Sequence, residues 1–341
     1  RVAAAAKGRP CATYGDSRKL LVSQCVDAVV IATPDHWHAL QSIAACEAGK
    51  DVFCDKPLSV TLSKGRTMVE AARRHKTVFQ GGPQQRSIPA AIRACEFVRS
   101  GGLGKLKGVH VTNNRTSRDC DLPGEPVPEG LDWETWLGPS PRRPFHAKIY
   151  NGSRQRDWMG WMAFRPWSGG MMTSWGAHGM DLMQWGLGMD QGGPSQVKPL
   201  GPGLTCQLEY TYPGGVIVKL DEAPQGGAIF VGTEGKITVA CGVATYDPPE
   251  LAKGAPPNEP KLFPGATAPI HTRQWLACTR TRKGLTCDVE IGHRTATACH
   301  VGNIARWLGR PVRWDPAAEQ FPGDDEANAL LSRPMRDPWK L

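Results

Sequence analysis

The stretch Asp27-Ala-Val-Val-Ile-Ala-Thr-Pro-Asp-His-Trp-His38 decides how the chain reads. Asp27 to Ala32 is a short apolar run rich in β-branched residues, the pattern of a strand buried on both faces of a parallel sheet. Thr33-Pro34-Asp35 breaks it, and Ala39 to Lys50 reads as a helix closed by Gly49. A second apolar strand, Asp51 to Cys54, ends in Asp55-Lys56-Pro57. Two strands joined by one helix make a right-handed βαβ unit. Ligands of open α/β sheets bind beyond the carboxyl ends of such strands. Thr33 to His38 and Asp55 to Pro57 occupy that edge.

Working outward, Lys64 to His75 is a helical pattern with a basic last turn, as the helix dipole favours. Thr77 to Gln80 is a third strand, running into Gly81 to Arg86, and Pro89 to Ser100 is a further helix. Strands alternating with helices are the doubly wound signature. Upstream lie an Ala-rich helical piece at Val2 to Lys7, a strand candidate at Ala12 to Tyr14, and a helix near Asp16 to Ser23. The character changes at Lys105. Leu106 to Asn113 alternates as a strand, and Leu122 to Trp167 reads as ordered, aromatic-packed loops. Gly169 to Gly188 is helical. Thr205 to Thr245 holds short strands with Pro-Gly-Gly and Thr-Glu-Gly-Lys turns, which imply an antiparallel sheet. Helices return at His271 to Lys283 and Gly292 to Leu308, and a Pro- and Asp-rich tail from Arg313 wraps a surface. The expected organisation is a doubly wound domain over 1–104 and a second domain over 105–341.

With 341 residues the chain can build both cores. No apolar run reaches membrane-span length. The net charge of +9 is spread over dispersed Lys and Arg rather than a stripe, which argues against a nucleic-acid surface. Eleven cysteines, scattered and never in a C-x-x-C pair, speak against a disulfide framework or a zinc ribbon. Reduced thiols favour a cytoplasmic setting, with export by a missing N-terminal signal as the alternative.

Three groups carry chemistry. Lys56, at the end of a buried strand and before Pro57, can move a proton or favour the alkoxide of a bound hydroxyl. Pro57 fixes the turn and is a candidate for a cis bond. If the helix around His178 runs from Thr173, Ser174, His178, Asp181 and Trp185 share one stripe. A carboxylate one turn from an imidazole can hold its tautomer, making His178 a general base with Asp181 as orienter. Gln80 to Arg86 leaves a strand at the same edge and can line the pocket. Asp35, His36 and His38 are fair metal ligands, but no further cluster has ligand spacing, and no metal is expected. His293 and His300 read as structural.

Together these residues resemble the Gfo/Idh/MocA family of oxidoreductases. Thr33-Pro-Asp-His-Trp-His38 resembles its strand-end loop beside the nicotinamide. Asp55-Lys56-Pro57 resembles its Glu-Lys-Pro motif, and Ser174-x-Gly176-x-His178-x-x-Asp181 its Asp-x-Gly-x-His-x-x-Asp motif. The resemblance implies a Rossmann domain binding NAD or NADP, followed by a C-terminal α+β domain with an open, largely antiparallel sheet that serves a homo-oligomer, dimer or tetramer. It implies Lys56, His178 and Asp181 as catalytic residues. Thr33, Pro34, His38, Asp55, Lys56 and Gln84 would contact the cofactor, and Trp37, Arg86 and Ser174 a sugar, polyol or glycoside. Two departures stand out. Serine at 174 replaces the usual Asp and carries no charge. The G-x-G-x-x-G turn and first βαβ unit are expected before Arg1, so the chain reads as N-terminally truncated. The alternatives are an NAD-dependent glycoside hydrolase of the same fold, which Trp158 to Trp167 would suit, and a non-catalytic sugar- or nucleotide-binding protein.

Overall fold

A computed structural model describes residues 11–150, 159–255 and 270–341. The expected helix at Val2 to Lys7 and the start of the aromatic loop at Trp158 lie outside these. Three parallel strands, β1 (Ala28–Ile31), β2 (Asp51–Cys54) and β3 (Phe79–Gly81), lie in that order. A short helix α1 (Ser17–Leu21) precedes them, and α2 (Asp35–Glu47) and α3 (Leu62–Arg74) make the crossovers. The apolar faces of α2 and α3 close a core with Val52, Cys54, Phe79 and Met68. The outer edge of β1 is unpaired among the described residues, and Val30 is exposed there.

After α4 (Pro89–Arg99) comes β4 (Leu106–Thr112), then two short helices, α5 (Trp133–Leu137) and α6 (Ala147–Tyr150), and α7 (Gly176–Gly186). Strands β5 (Gln196–Pro199), β6 (Leu208–Thr211), β7 (Ile217–Asp221), β8 (Ala228–Gly232), β9 (Lys236–Ala240) and β10 (Val243–Asp247) follow. Helices α8 (Ile270–Thr281) and α9 (Val289–Leu308), strand β11 (Val312–Arg313) and α10 (Asp325–Asn328) complete the chain. Eight strands form one open sheet in the order β10-β9-β8-β4-β7-β6-β5-β11, antiparallel except where β4 meets β7. Alternating burial along β4, β6, β8 and β9 turns Val109, Val111, Tyr210 and Phe230 into the core beneath α4, α7 and α9.

The 20-residue α9 is buried on nearly all sides because it serves both units, packing on α3 and β3 as well as on α7 and β5. Arg66 of α3 reaches Glu290 of α9 at 2.8 Å and Glu319 at 2.6 Å, clamping the units together. The aromatic region packs as expected: Trp133, Leu137, Phe145, Phe164 and Trp167 form their own core, with Trp133 stacked on Trp136. The tail also wraps. Arg336 Nε donates to the Gly138 carbonyl at 2.7 Å, and Trp339 lies edge-on to Trp37.

Three expectations need correcting. Ala12 to Tyr14 forms no strand. α2 starts at Asp35, not Ala39, because Pro34 takes the N-cap position and Asp35 suits the first turn. Asp35 to His38 are therefore a helical turn, not a loop. α7 starts at Gly176, so Ser174 precedes it and does not share a helical stripe with His178. Ala91, Ala94 and Phe97 of α4 pack in the core of the open-sheet unit.

Candidate active site

The carboxyl ends of β2 and β3 meet closely. A Cβ on Gly82 would lie 2.4 Å from the Lys56 amide nitrogen, so only glycine lets the two strand exits touch. The Asp55 carboxylate accepts the Lys56 amide at 2.8 Å, and the Lys56–Pro57 bond is cis. His38 spans the two loops, with Nε2 2.7 Å from the Thr33 carbonyl and Nδ1 2.8 Å from that of Pro57. It braces the edge rather than facing it, because both ring nitrogens are occupied. Thr33, Pro34, Asp55 and Lys56 remain half-buried at the rim, and Gln84 is exposed.

Onto this edge the second unit delivers Ser174 and His178. Lys56 Nζ donates to Ser174 Oγ at 3.1 Å, joining residues 118 positions apart. Ser174 is held from below. Its amide donates to the Gly170 carbonyl at 3.1 Å, the Gly170 amide to Ser168 Oγ at 3.1 Å, and Ser168 Oγ to the Asp35 carboxyl at 2.7 Å. Burial pushes the Asp35 carboxyl up to about 7, opposed by the Ser168 hydrogen bond and the Lys56 charge. His178 is buried with Nδ1 unpartnered. Burial, then the nearby Lys56 ammonium, brings its imidazole down to about 4. At neutral pH it is an uncharged base with a free lone pair or N–H.

Several expected roles change. Asp181 does not touch His178. Its carboxylate accepts Arg86 Nε at 2.8 and 2.9 Å and the Thr295 hydroxyl at 2.9 Å. Arg86, expected on the substrate, is itself buried, donating through Nη2 to Asp190 at 2.8 Å and lying over Trp185. Trp37 is buried, donating to the Trp136 carbonyl at 3.2 Å and packing on Trp339, so it serves the tail rather than a ligand. Beside the exposed Gln84, the short 3₁₀ turn at Gln84–Ser87 points Gln85 inward, where Nε2 donates to the Gly226 carbonyl at 2.7 Å. Gln85 falls within the Gln80 to Arg86 stretch expected to line the pocket, whereas Trp175, beside Lys56 and His178, is a residue that sequence reasoning missed. Among the described residues no three His, Cys, Asp or Glu are grouped to hold a metal ion, and no helix is long and apolar enough to cross a membrane.

The buried histidines make a test of acid stability. Burial lowers His36 to about 3 and His178 and His300 to about 4, from 6.5. Each binds a proton in the unfolded chain before the folded one, so its contribution is full above about 6.5 and is lost as pH falls towards the folded value. Between about pH 7 and 5 each loses ~2 kcal/mol. Asp35 runs the other way: raised from 3.8 to about 7, it contributes most at low pH and loses that as pH rises through 7, offsetting ~2 kcal/mol. Together these four groups lose on the order of 4 kcal/mol by about pH 5, and burial of His38 and His271 works in the same direction. Urea midpoints at the two pH values measure it, and a midpoint that holds or rises on acidification would refute this accounting.

The parallel-sheet edge, with a lysine at one strand end and a histidine delivered from a second, open-sheet unit, defines a two-unit α/β protein with a dinucleotide-type site. The chain belongs to the Gfo/Idh/MocA oxidoreductase family. The family's NAD-binding Rossmann fold matches residues 1–82, and its C-terminal alpha/beta domain matches residues 114–341. Among curated relatives, D-xylose 1-dehydrogenase (NADP(+)) of Hypocrea jecorina is 35% identical over 94 residues, 28% of this chain and 24% of that protein. Levoglucosan dehydrogenase of Pseudarthrobacter phenanthrenivorans is 34% identical over 91 residues, 27% and 23% of the two chains. The matched stretch thus spans about a quarter of either relative. Among solved structures, the WlbA dehydrogenase of Bordetella pertussis, in complex with NADH and UDP-GlcNAcA, superposes with a TM-score of 0.62 at 18% identity, covering 92% of this chain and 86% of that one. A levoglucosan dehydrogenase in complex with NADH and levoglucosan gives 0.59 at 17% identity, covering 88% and 83%. These likenesses establish the same fold.

Proposed function

We propose that the protein is an NAD(P)-dependent oxidoreductase that moves hydride between the nicotinamide and a hydroxyl-bearing carbon of a sugar, polyol or glycoside. The observation that carries it is the convergence of Lys56 Nζ, Ser174 Oγ and the unpartnered His178 imidazole at the carboxyl edge of β2. The edge fits a dinucleotide: its rim residues Thr33, Pro34, Asp55, Lys56 and Gln84 keep exposed surface, while His38 ties the two strand exits behind them. When bound, the nicotinamide supplies the hydride acceptor or donor. In the oxidation direction the substrate C–H bond breaks, the C=O bond forms, and the hydroxyl proton leaves to the neutral His178. The Lys56 ammonium stabilises the developing alkoxide, and Ser174 hydrogen-bonds a hydroxyl while fixing Lys56. Asp181 supports this only by holding Arg86 and α7 in place. The relatives named for xylose and levoglucosan support a sugar-like substrate.

The test follows a label. The full chain is incubated with NAD⁺ or NADP⁺ and a panel of sugars and polyols deuterated at each hydroxyl-bearing carbon, and the dinucleotide is weighed. Deuterium on the reduced nicotinamide is the expected result. Glycoside cleavage without net NADH would instead favour the hydrolase reading. Sugar binding with no transfer of label from any carbon would leave only a binding protein.

A further inference from the structure

Trp175 is the anomaly of the site. It sits one residue after Ser174 and three before His178, both buried, yet its own side chain is 44% exposed. A large indole left in water beside reactive groups is worth explaining, since burial of its apolar surface is favourable. Its ring meets the His178 imidazole at 5.8 Å and 65°, and Lys56 Nζ lies 5.9 Å from its centroid. Its six-membered ring lies beside Gly226, in the turn between β7 and β8. A Cβ on Gly226 would make ordinary contact, at 3.5 Å, with both Trp175 Cε3 and His178 Cβ, and the φ of +65° is what favours glycine in this turn. That turn is pinned twice: Gln85 Nε2 donates to the Gly226 carbonyl at 2.7 Å, and Gln225 Nε2 to Asn114 Oδ1 at 3.1 Å.

We propose that Trp175 is the stacking platform for the substrate, and that it selects ring sugars or cyclitols over open-chain polyols. The inference rests on the hydride-transfer reading for its kinetics, but not for its binding. A pyranose or cyclitol has a flat C–H face that an aromatic ring covers well, while its hydroxyls point outward at the rim. Laid on the indole, such a ring presents a hydroxyl to Lys56, Ser174 and His178. An open-chain polyol has no such face. Gln85 and Gly226 act through Trp175 by holding it in place.

The experiment compares wild type with Trp175→Ala and Trp175→Phe on D-xylose, myo-inositol and methyl β-D-glucopyranoside, with xylitol as the open-chain control. For the substrate that turns over, KM is expected to rise about tenfold in Trp175→Ala, at least about fivefold more than for xylitol, and Trp175→Phe to recover most of it. Equal losses on ring and open-chain substrates would show instead a ring that only shields Lys56, and would overturn the proposal. Saturation-transfer NMR on methyl β-D-glucopyranoside reads binding without turnover. Signal concentrated on the protons of one ring face in wild type and lost in Trp175→Ala supports the platform. No such face selectivity in wild type refutes it, whether or not hydride transfer has been found. An unchanged thermal midpoint in Trp175→Phe separates these outcomes from misfolding.

Discussion

Lys56→Met is expected to lower kcat by about 10²- to 10³-fold, the range for losing a group positioned to stabilise a developing oxyanion, with little change in stability. Methionine keeps most of the stem's length and removes only the ammonium. Nζ donates to Ser174 Oγ at 3.1 Å, and Lys56 is half-buried at the rim, so little packing depends on the charge. Ser174→Ala should cost far less, because serine carries no charge to lose. His178→Gln should again cost heavily, since it removes the neutral base whose Nδ1 meets no protein partner. Stopped-flow measurement of the chemical step, with thermal midpoints for each variant, reads both effects. A rate within about tenfold of wild type in Lys56→Met would remove the lysine from the mechanism.

The βαβ core was readable because its signals are local. A β-branched run, a glycine-closed helix and a second short strand sit within thirty residues, and the chain pairs β1, β2 and β3 in parallel as that pattern demands. The start of α2 was misread for a reason equally local: Thr33-Pro34-Asp35 is both a breaker of strands and a starter of helices, and the second use holds here. Lys56, Ser174 and His178 came together through motif order rather than periodicity, since nothing in spacing joins positions so far apart. What stayed hidden was long-range. The i, i+3 spacing of His178 and Asp181 is common to any helix pair, and it cannot reveal that Arg86, nearly a hundred residues earlier, takes the carboxylate. Trp175 occupies a position that motifs leave free, and only its exposure beside the site marks it. Gln84 and Gln85 are equivalent as sequence, and a single 3₁₀ turn decides which one faces inward.

Arg86→Met is expected to cost about 3–5 kcal/mol of folding stability, the range for breaking a buried ion pair from one side. Arg86 and Asp181 are both almost wholly buried, and Arg86 Nε meets both carboxylate oxygens. Burial raises the Asp181 carboxyl, and the guanidinium and Thr295 hydroxyl oppose it. With the guanidinium gone, the carboxylate keeps only Thr295 and must bind a proton or remain an uncompensated charge. Arg86→Lys should fall between, because an ammonium cannot reach Asp181 and Asp190 together with the planar fork of arginine. The double variant Arg86→Met with Asp181→Leu removes both charges and should recover much of the loss, giving a coupling energy well above that of independent sites. If Arg86 bound the substrate instead, Arg86→Met would raise KM and leave the urea midpoint in place, and the coupling with Asp181 would vanish. The same cycle therefore decides whether this part of the motif is chemistry, or scaffold that holds α7, and with it His178, against the strand edge that carries Lys56.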